Sequence, residues 1–503
     1  MFQQTTISVK IDHRHLLSSA LYLSLDVQKN VMKIEQIYTG CLAQGAYYIE
    51  SGGEVAIIDP LRDVQTYIQK AASSGARIKY VLETHFHADF VSGHIDIAKE
   101  TGATIVYGPT AQPSFDALIA ADGQELQLGD VKIKVLHTPG HTMESACYLL
   151  IDENGKEVAL FSGDTLFLGD VGRPDLAQKA AQMTTEQLAG LLYDSLRNKI
   201  MPLNDDIIVY PAHGAGSACG KNMSSDTQDT LGHQKQTNYA LRADMTRDEF
   251  IKEVTTGLVR PPQYFPFNVM LNKTGYENIS EVIKKGLQPL SAGAFEAAAE
   301  ETGALILDTR DAAEFVKAFI PGAINIGLDG NFAPWAGALI PDIKQPILII
   351  SKAGREQEVV TRLSRVGYDN CIGYLDGGME DWEMSGRPIQ QMRSITADEL
   401  ADTLEAHPNI FLLDVRKKSE YDSEHIIGAS NMPLDDINIE MQKLDKDATY
   451  YVHCAGGYRS VIFISILMAR GFRHLVNVKD GFKALKDCGR FSITEYVRPI
   501  TAL

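Results

Sequence analysis

The sequence predicts an α/β protein of about three domains, and three observations support this prediction. The chain has 503 residues, whereas one domain takes about 150. In the first half, short apolar strands alternate with polar turns, and in the second half two segments repeat one another. Hydrophobic residues make up 45% of the chain and charged residues 22%. This composition is ordinary for a globular protein and excludes a disordered or fibrous one.

The net charge and the cysteine content limit which binding partners and which cellular compartment are expected for this chain. Lys and Arg number 47 against 65 Asp and Glu, so the formal net charge is −18. Such an acidic chain is not expected to bind nucleic acid nonspecifically or to dock on anionic lipid. No apolar run reaches the roughly 18 residues that a membrane span needs. The six cysteines are scattered, which fits a reducing cytoplasm better than a disulfide framework.

Residues 1–31 are interpreted as an atypical N-terminal extension. The apolar run from Leu16 to Leu25 contains serines and is short, and no small-residue cleavage site follows it. A regular strand pattern begins at Met32. We therefore expect the folded part of the chain to begin there.

The apolar strands of the first region each end at a loop that carries histidine or aspartate. Strands are predicted at 55–60, 79–85, 132–141, 157–166 and 206–214, and a helix at 92–102. A layered α/β fold exposes its chemistry at strand ends. The sequence therefore predicts that these loops build one site.

The His and Asp residues of these loops have the composition of a metal site. The segment THFHADF carries His85, His87 and Asp89, and alternate residues of an extended segment share one face. His141, Asp164 and His213 follow in three later loops. Imidazole and carboxylate together suit a divalent metal, zinc or iron.

These elements resemble the metallo-β-lactamase superfamily over residues 32–250, which implies an αββα sandwich. That family's motif is H-x-H-x-D-H, but Phe90 stands here at its last position. The loss of this histidine favours one metal over two. Within the superfamily the chain is most similar to the persulfide dioxygenases, which implies one Fe(II) per chain, held by His85, His141 and Asp164. His87, Asp89 and His213 then orient ligands or water. Spacing alone leaves zinc open as the alternative.

Three further residues are candidates for substrate binding. The resemblance implies that Arg173 contacts an anionic thiol cofactor. The Gly-rich segment at 214–222 follows His213 directly and carries Cys219 and Lys221. We expect this segment to approach the metal pocket, with Cys219 either relaying sulfur or simply packed as an inert cysteine.

Two copies of one α/β domain follow a Pro-rich, amphipathic connector at 251–287. The first copy is placed at 288–391 and the second at 392–503. Residues of unlike type recur at constant spacing. Pairs 106 apart are Asp308 and Asp414, Glu314 and Glu420, and Gly322 and Gly428; pairs 104 apart are Arg355 and Arg459, Gly367 and Gly471, and Asp376 and Asp480.

The second copy has a strand, a Gly-rich loop and a helix that begins near Ser460. Its loop CAGGYR runs from Cys454 to Arg459. Backbone N–H groups of such a loop form an anion cradle, and the Arg459 charge favours the thiolate. The copy resembles the rhodanese domain, a three-layer α/β fold. Cys454 and Arg459 are the predicted catalytic residues, and Gly456, Gly457 and Tyr458 the predicted substrate contacts. The six-residue loop favours sulfur transfer over the related phosphatase chemistry.

The first copy has lost the residues that this chemistry needs. Ser351 stands at the cysteine position, the loop is one residue shorter, and Phe319 replaces the equivalent of His425. We interpret this copy as a catalytically silent, degenerate domain that is structural or a docking surface.

Taken together, the chain resembles a persulfide dioxygenase–rhodanese fusion. This resemblance implies oxidation of a thiol persulfide by O2 to sulfite, with sulfur transfer between persulfide, sulfite and thiosulfate in sulfide detoxification. The thiol carrier is glutathione, coenzyme A or a similar small thiol. The alternatives are a Zn-dependent thioester hydrolase of the glyoxalase II type and a non-catalytic scaffold. The connector and the degenerate copy offer surface for a homo-oligomer.

Overall fold

The structure is a computed structural model that describes residues 32–498, without the side chains of residues 179 and 180. The predicted N-terminal extension at 1–31 lies outside the described residues. Within 32–498, no helix is long and apolar enough to cross a membrane.

Two six-stranded sheets face each other in the first part of the chain. The first sheet has the order β1-β2-β3-β4-β5-β6 and the second the order β12-β11-β10-β9-β8-β7. The strands are β1 Lys33–Thr39, β2 Gln44–Ser51, β3 Glu54–Ile58, β4 Arg77–Leu82, β5 Thr104–Tyr107, β6 Leu118–Ile119, β7 Glu125–Leu128, β8 Val131–His137, β9 Ala146–Ile151, β10 Glu157–Gly163, β11 Ile208–Pro211 and β12 Asp229–Thr230. The strands predicted from the sequence are thus confirmed.

Helices cover the outer face of each sheet. They are α1 Gln65–Ser74, α2 His94–Thr101, α3 Gln178–Ala181, α4 Thr185–Ser195, α5 Leu231–Thr237 and α6 Arg247–Thr255. One apolar core lies between the sheets, with Ile58 and Val106 facing Val135 and Phe161. Separate cores lie under the helices on either side. This is the αββα sandwich that the sequence predicted. The predicted helix at 92–102 is α2.

Three helices span the region that the sequence assigned to a connector. Helix α6 crosses the expected boundary between residues 250 and 251. It is followed by α7 Phe265–Thr274 and α8 Ile279–Gly286. The prolines of the sequence lie before α7 and at its start, where the missing N–H costs no helical hydrogen bond.

The two repeats have the same sheet order, β13-β17-β16-β14-β15 and β18-β22-β21-β19-β20, and every described pairing in them is parallel. The first repeat contains β13 Pro289–Leu290, α9 Ala292–Thr302, β14 Leu305–Asp308, α10 Ala312–Phe315, β15 Ile324–Asn325, α11 Phe332–Leu339, β16 Ile347–Ile350, α12 Glu356–Ser364, β17 Cys371–Leu375 and α13 Gly378–Met384. The second contains β18 Ser394–Ile395, α14 Ala397–Ala406, β19 Phe411–Asp414, α15 Lys418–Ser423, β20 Ser430–Asn431, α16 Ile437–Glu440, β21 Tyr450–His453, α17 Tyr458–Ala469, β22 Leu475–Val478 and α18 Gly481–Cys488. The predicted three-layer α/β repeats are confirmed.

Matched side-chain contacts show why the repeat spacing survives in the sequence. Arg310 pairs with Asp308 in the first repeat as Arg416 pairs with Asp414 in the second. The rings of Phe315 and Phe319 stack with centroids 4.2 Å apart. Their counterparts Tyr421 and His425 stack at 3.7 Å. Phe319, the counterpart of His425 in the first repeat, therefore preserves the ring contact and lacks only the imidazole group.

A buried ion pair joins the first repeat to the sandwich. Arg62 has no exposed side-chain surface, and its Nη1 lies 2.6 Å from Asp369 Oδ1. Its Nη2 donates to the carbonyl of Glu277 at 2.6 Å, and its guanidinium lies over the Tyr276 ring. Since Asp369 is itself mostly buried, removal of either partner leaves an uncompensated charge.

We expect Arg62→Ala to lower the free energy of unfolding by about 3–5 kcal/mol, because it leaves the mostly buried Asp369 carboxylate without its charged partner. Arg77→Ala is the matched control, since the Arg77 side chain is 70% exposed beside Glu54. The control is expected to change stability by no more than about 0.5 kcal/mol. Urea denaturation followed by circular dichroism measures both variants. Equal, small losses would contradict the structural role given to Arg62.

Candidate active sites

Three strand-end loops bring His85, His141 and Asp164 together. They follow β4, β8 and β10, and all three side chains are buried. Nε2 of His85 lies 3.8 Å and Nε2 of His141 lies 3.3 Å from Oδ2 of Asp164. Asp164 Oδ2 is buried without a hydrogen-bond partner. A buried carboxylate oxygen between two imidazole nitrogens needs a cation to compensate its charge. The set therefore fits a divalent metal.

Hydrogen bonds on the far side of each imidazole fix its tautomer. His141 Nδ1 lies 2.8 Å from the carbonyl of Arg173, which can only accept. His85 Nδ1 lies 3.0 Å from Thr84 Oγ1. The Thr84 hydroxyl donates its own proton to Asp59 Oδ2 at 2.8 Å, so its oxygen accepts from His85. Both imidazoles consequently carry hydrogen on Nδ1 and direct the lone pair of Nε2 toward Asp164.

Burial and neighbouring charges reinforce these protonation states. Burial and the nearby His87 lower the pKa of His85 well below its ordinary value, so the imidazole is neutral. Burial raises the pKa of Asp164, but His213 and the other imidazoles outweigh it and hold that pKa below its ordinary range. Neutral imidazole and ionised carboxylate are the forms that bind a metal.

His87, Asp89 and His213 form a second group whose ligand atoms lie within 4.8 Å of one another. His213 lies between two carboxylates, with Nδ1 2.7 Å from Asp164 Oδ1 and Nε2 2.8 Å from Asp89 Oδ2. Burial lowers the pKa of His213, but these carboxylates raise it well above its ordinary value. The Phe90 ring packs on His87 with centroids 4.2 Å apart. His213 thus links the two carboxylates, and an aromatic ring stands at the position where the family motif has histidine.

The predicted substrate residues lie near the metal group, but their polar atoms contact the chain itself. Arg173 pairs with Asp175 and donates to the carbonyls of Ala218 and Val259. Lys221 Nζ donates to the carbonyls of Glu253 and Thr256. Both side chains therefore hold loops in this structure, and their contact with substrate stays a prediction.

Cys219 lies beside the metal group, where the sequence placed its loop. Its Sγ is within 4.8 Å of the ligand atoms of Asp164 and His213, and the residue is 1% exposed. Burial, followed by the charges of Asp89 and Asp164, raises the pKa of the Cys219 thiol well above its ordinary value. The side chain is a neutral thiol in this surrounding, so a relay of sulfur through it stays a prediction.

Asp59 and Asn272 support the site and were not identified from the sequence. Asp59 directly follows β3 with φ +50° and accepts a hydrogen bond from the Thr84 amide at 2.8 Å. Its place directly after the strand VAII is a signal in the sequence, because Asp164 and the site histidines also follow apolar strands. Asn272 acts from helix α7, far along the chain, where no local pattern marks it.

The rhodanese-like loop encloses Cys454. The amide of Gly457 donates to Cys454 Sγ at 3.1 Å, and Gly457 has φ +98°, which favours glycine. Arg459 forms two bonds to Glu420, at 2.5 and 2.8 Å. The Tyr458 hydroxyl donates to the carbonyl of Gly327 in the first repeat at 2.9 Å. Gly456 has open space where a side chain would lie. The backbone of the loop is thus unobstructed at Gly456, whereas Tyr458 anchors the loop to the first repeat.

The corresponding loop of the first repeat is occupied by its own side chains. Ser351 Oγ donates to the carbonyl of Lys352 at 3.1 Å. The Gly354 amide donates to Glu356 Oε1 at 3.2 Å. The Glu356 carboxylate thus accepts the hydrogen bond of a loop amide that would otherwise be available to an anionic substrate. This agrees with the interpretation of the repeat as catalytically silent.

Comparison with known proteins assigns the family. The sequence pattern of the metallo-β-lactamase superfamily matches residues 39–213. A metallo-β-lactamase crystal structure from Staphylococcus aureus subsp. aureus COL is 33% identical, with a TM-score of 0.59, and the match covers 69% of this chain and 99% of that one. The chain belongs to the metallo-β-lactamase superfamily. The rhodanese-like domain pattern matches residues 291–385 and 396–488. Two rhodanese-like domains therefore follow the metallo-β-lactamase domain.

Relatives of two activities match the metallo-β-lactamase domain. A cytoplasmic hydroxyacylglutathione hydrolase of Arabidopsis thaliana is 34% identical over 187 residues, which are 36% of this chain and 67% of that protein. The mitochondrial persulfide dioxygenase ETHE1 of Bos taurus is 27% identical over 227 residues, which are 44% of this chain and 78% of that protein. The superfamily and the rhodanese-like domains indicate an enzyme, and identity alone leaves both chemistries open.

Asp164→Ala is expected to lower the metal affinity at least about 100-fold, because it removes a ligand rather than a supporting group. Sulfur transfer to Cys454 should persist in the same protein. Asp206→Ala is the control, since that side chain is 57% exposed and pairs with Lys156. Metal content by mass spectrometry after dialysis provides the measurement. Parental metal content in Asp164→Ala would contradict the ligand assignment.

Ser351→Cys, made in a Cys454→Ser background, is not expected to gain a sulfur atom from thiosulfate, because Glu356 repels the anion from this loop. Parental Cys454 is the positive control. Intact-protein mass spectrometry distinguishes the thiol from the persulfide. A sulfur adduct at residue 351 at the parental rate would show that serine alone silences the repeat.

Proposed function

We propose that this protein is a non-haem Fe(II) persulfide dioxygenase fused to a rhodanese-type sulfurtransferase. The first reaction is RSSH + O2 + H2O → RSH + SO3²⁻ + 2H⁺. The observation that carries the proposal is the buried group of two imidazole nitrogens and one carboxylate oxygen. Next to this group, the Phe90 ring packs on His87. Bound Fe(II) would supply a redox-active centre for O2 chemistry with the open coordination positions that two His and one carboxylate leave available. The four electrons that O2 takes up come from the outer sulfur of the persulfide.

The residues around this group favour one metal. A second metal would need lone pairs from His87 and His213. His213 Nδ1 is hydrogen-bonded to Asp164 Oδ1, and its Nε2 lies 2.8 Å from Asp89 Oδ2, so each nitrogen already faces a carboxylate. His87 Nε2 lies 3.0 Å from Asp59 Oδ1. Phe90 adds an apolar ring where the family motif has histidine.

The rhodanese-like loop accepts and releases the outer sulfur of its substrates. In the donor step, Cys454–S⁻ + RSSH → Cys454–SS⁻ + RSH, the sulfur–sulfur bond of the persulfide breaks and one to Cys454 forms. In the acceptor step, Cys454–SS⁻ + SO3²⁻ → Cys454–S⁻ + S2O3²⁻. The amide of Gly457 donates to the sulfur. A chain that carries both sites retains sulfite near the second one, which raises its effective concentration.

The substrates follow from this chemistry, and the compartment from the cysteines. The thiol is a small carrier of the glutathione or coenzyme A kind, and sulfite and thiosulfate are the anions of the transfer step. All six cysteines of the chain are free, which supports the reducing cytoplasm and a role in sulfide detoxification.

A zinc thioester hydrolase of the glyoxalase II type is the second candidate. It is favoured by the His87, Asp89 and His213 group, whose atoms are close enough for a second ion, and by the hydroxyacylglutathione hydrolase relatives. This function requires two metals per chain and no oxygen.

Iron-loaded Cys454→Ser protein, in which sulfur transfer consumes neither persulfide nor sulfite, is expected to take up one O2 for each glutathione persulfide and to release sulfite. An oxygen electrode and metal analysis of the same sample measure this. The Asp164→Ala variant is the control and should consume no O2 above background. Two zinc ions per chain, no O2 uptake and hydrolysis of a glutathione thioester would establish the second candidate instead.

Cys454→Ser should shift the product from thiosulfate toward sulfite, with an unchanged initial rate of O2 uptake, because both sulfur-transfer steps are lost and the metal site is not altered. Cys488→Ser is the matched control, since Cys488 ends helix α18 and its Sγ contacts Asp398. Chromatography of the sulfur anions measures the ratio. An unchanged ratio in Cys454→Ser would mean that Cys454 does not act in sequence with the metal site.

A further inference from the structure

The loop that carries the metal motif is held by residues outside its own sandwich. Asn272 on helix α7 is 1% exposed. Its Nδ2 donates to the carbonyls of His87 and Phe90, each at 2.8 Å. Its Oδ1 accepts from the amide of Ser92 at 2.8 Å. One side chain thus satisfies three backbone groups of the segment that follows His85.

The degenerate repeat contacts the same segment through the end of helix α12. The amide of Val91 donates to the carbonyl of Arg365, which caps that helix, at 2.7 Å. The Arg365 guanidinium pairs with Asp63, with Nε 2.9 Å from Oδ1. The loop is therefore fixed to α7 and to α12 as well as to β4.

The same helix also holds the surface on which the Cys454 loop is anchored. Arg362, one turn before Arg365, donates to the carbonyls of Leu328 at 2.6 Å and Gly330 at 3.2 Å. Tyr458 lies on this segment, with its hydroxyl on Gly327. A Cβ at Gly330 would lie only 2.5 Å from the Tyr458 ring. Arg362 thus holds the segment that Tyr458 contacts, and Tyr458 directly precedes Arg459 in the chain.

We propose that the degenerate repeat is a positioning module, in which helix α12 supports both reactive loops and Asn272 completes the grip on the metal loop. The positioning residues are Arg362 and Arg365 of the repeat and Asn272 of the connector. A rigid helix that lies between two loops fixes both without taking part in either reaction. This explains why a repeat without the loop cysteine and without histidine keeps its fold and its helix. The inference rests on the proposed function only for the reactions that the loops serve.

The metal loop is tested with Asn272→Asp, which keeps the size of the side chain and its acceptor but replaces the donor by a carboxylate facing two carbonyls. We expect the affinity for Co(II) to fall about 10-fold to 100-fold, as for other supports of metal ligands. The visible spectrum of the Co(II) protein should also change, which a loss of stability alone would not produce. Asn268→Ala is the matched control, because Asn268 is buried one turn earlier on α7 and its side-chain atoms have no hydrogen-bond partner.

The rhodanese loop is tested with Tyr458→Phe, which keeps the ring and removes the bond to Gly327. The rate of alkylation of Cys454 by iodoacetamide should rise several-fold, while Co(II) affinity stays at the parental value. Arg362→Lys should raise the same rate, since lysine cannot donate to two carbonyls in the same fork geometry.

Neither readout uses persulfide or oxygen, so a failed dioxygenase assay would leave this inference standing. Parental Co(II) affinity and spectrum in Asn272→Asp, or an equal loss in Asn268→Ala, would overturn the grip on the metal loop. Parental alkylation rates in both Tyr458→Phe and Arg362→Lys would overturn the support of the Cys454 loop.

Discussion

The site depends on one uncompensated negative charge. Oδ2 of Asp164 lies in the interior with no hydrogen-bond partner, and the Nε2 atoms of His141 and His85 lie 3.3 and 3.8 Å from it. This arrangement is unfavourable unless a cation lies among the three atoms. The surrounding bonds hold it in place: Thr84 and Asp59 fix His85, the carbonyl of Arg173 fixes His141, and His213 occupies the other oxygen of Asp164. The metal-binding state is therefore prepared by the fold itself.

The two repeats show how one topology is kept while its chemistry is lost. Their sheets have the same order, and the Asp–Arg pairs and stacked rings lie at matching positions. The loops before α12 and α17 differ most in their chemistry. In the second repeat the loop amide of Gly457 is directed at sulfur. In the first, Gly354 is taken by Glu356. A repeat that no longer binds an anion can keep the helix after its loop as a support for neighbouring loops. This is the role that we propose for α12.

Strand-end chemistry was predictable from the sequence, because it depends on local pattern. Each apolar strand ended at an imidazole or a carboxylate, so the meeting of His85, His141 and Asp164 followed once the sheets were predicted. The partners of long side chains were not predictable. Arg173 and Tyr458 had been assigned to substrate from resemblance, but their polar atoms contact loops elsewhere in the chain. Asn272 lies some 180 residues from the loop it holds, and nothing in its own segment marks that contact.

The central claim is that one ferrous ion among His85, His141 and Asp164 retains room for a gas molecule and a sulfur ligand together. Anaerobic protein loaded with iron and exposed to nitric oxide, as a stand-in for O2, tests it by electron paramagnetic resonance. The account predicts one iron per chain, a ferrous nitrosyl signal, and a change in that signal when glutathione persulfide is added. A signal that the persulfide leaves unaltered, or a protein that holds two zinc ions in place of iron, would contradict it.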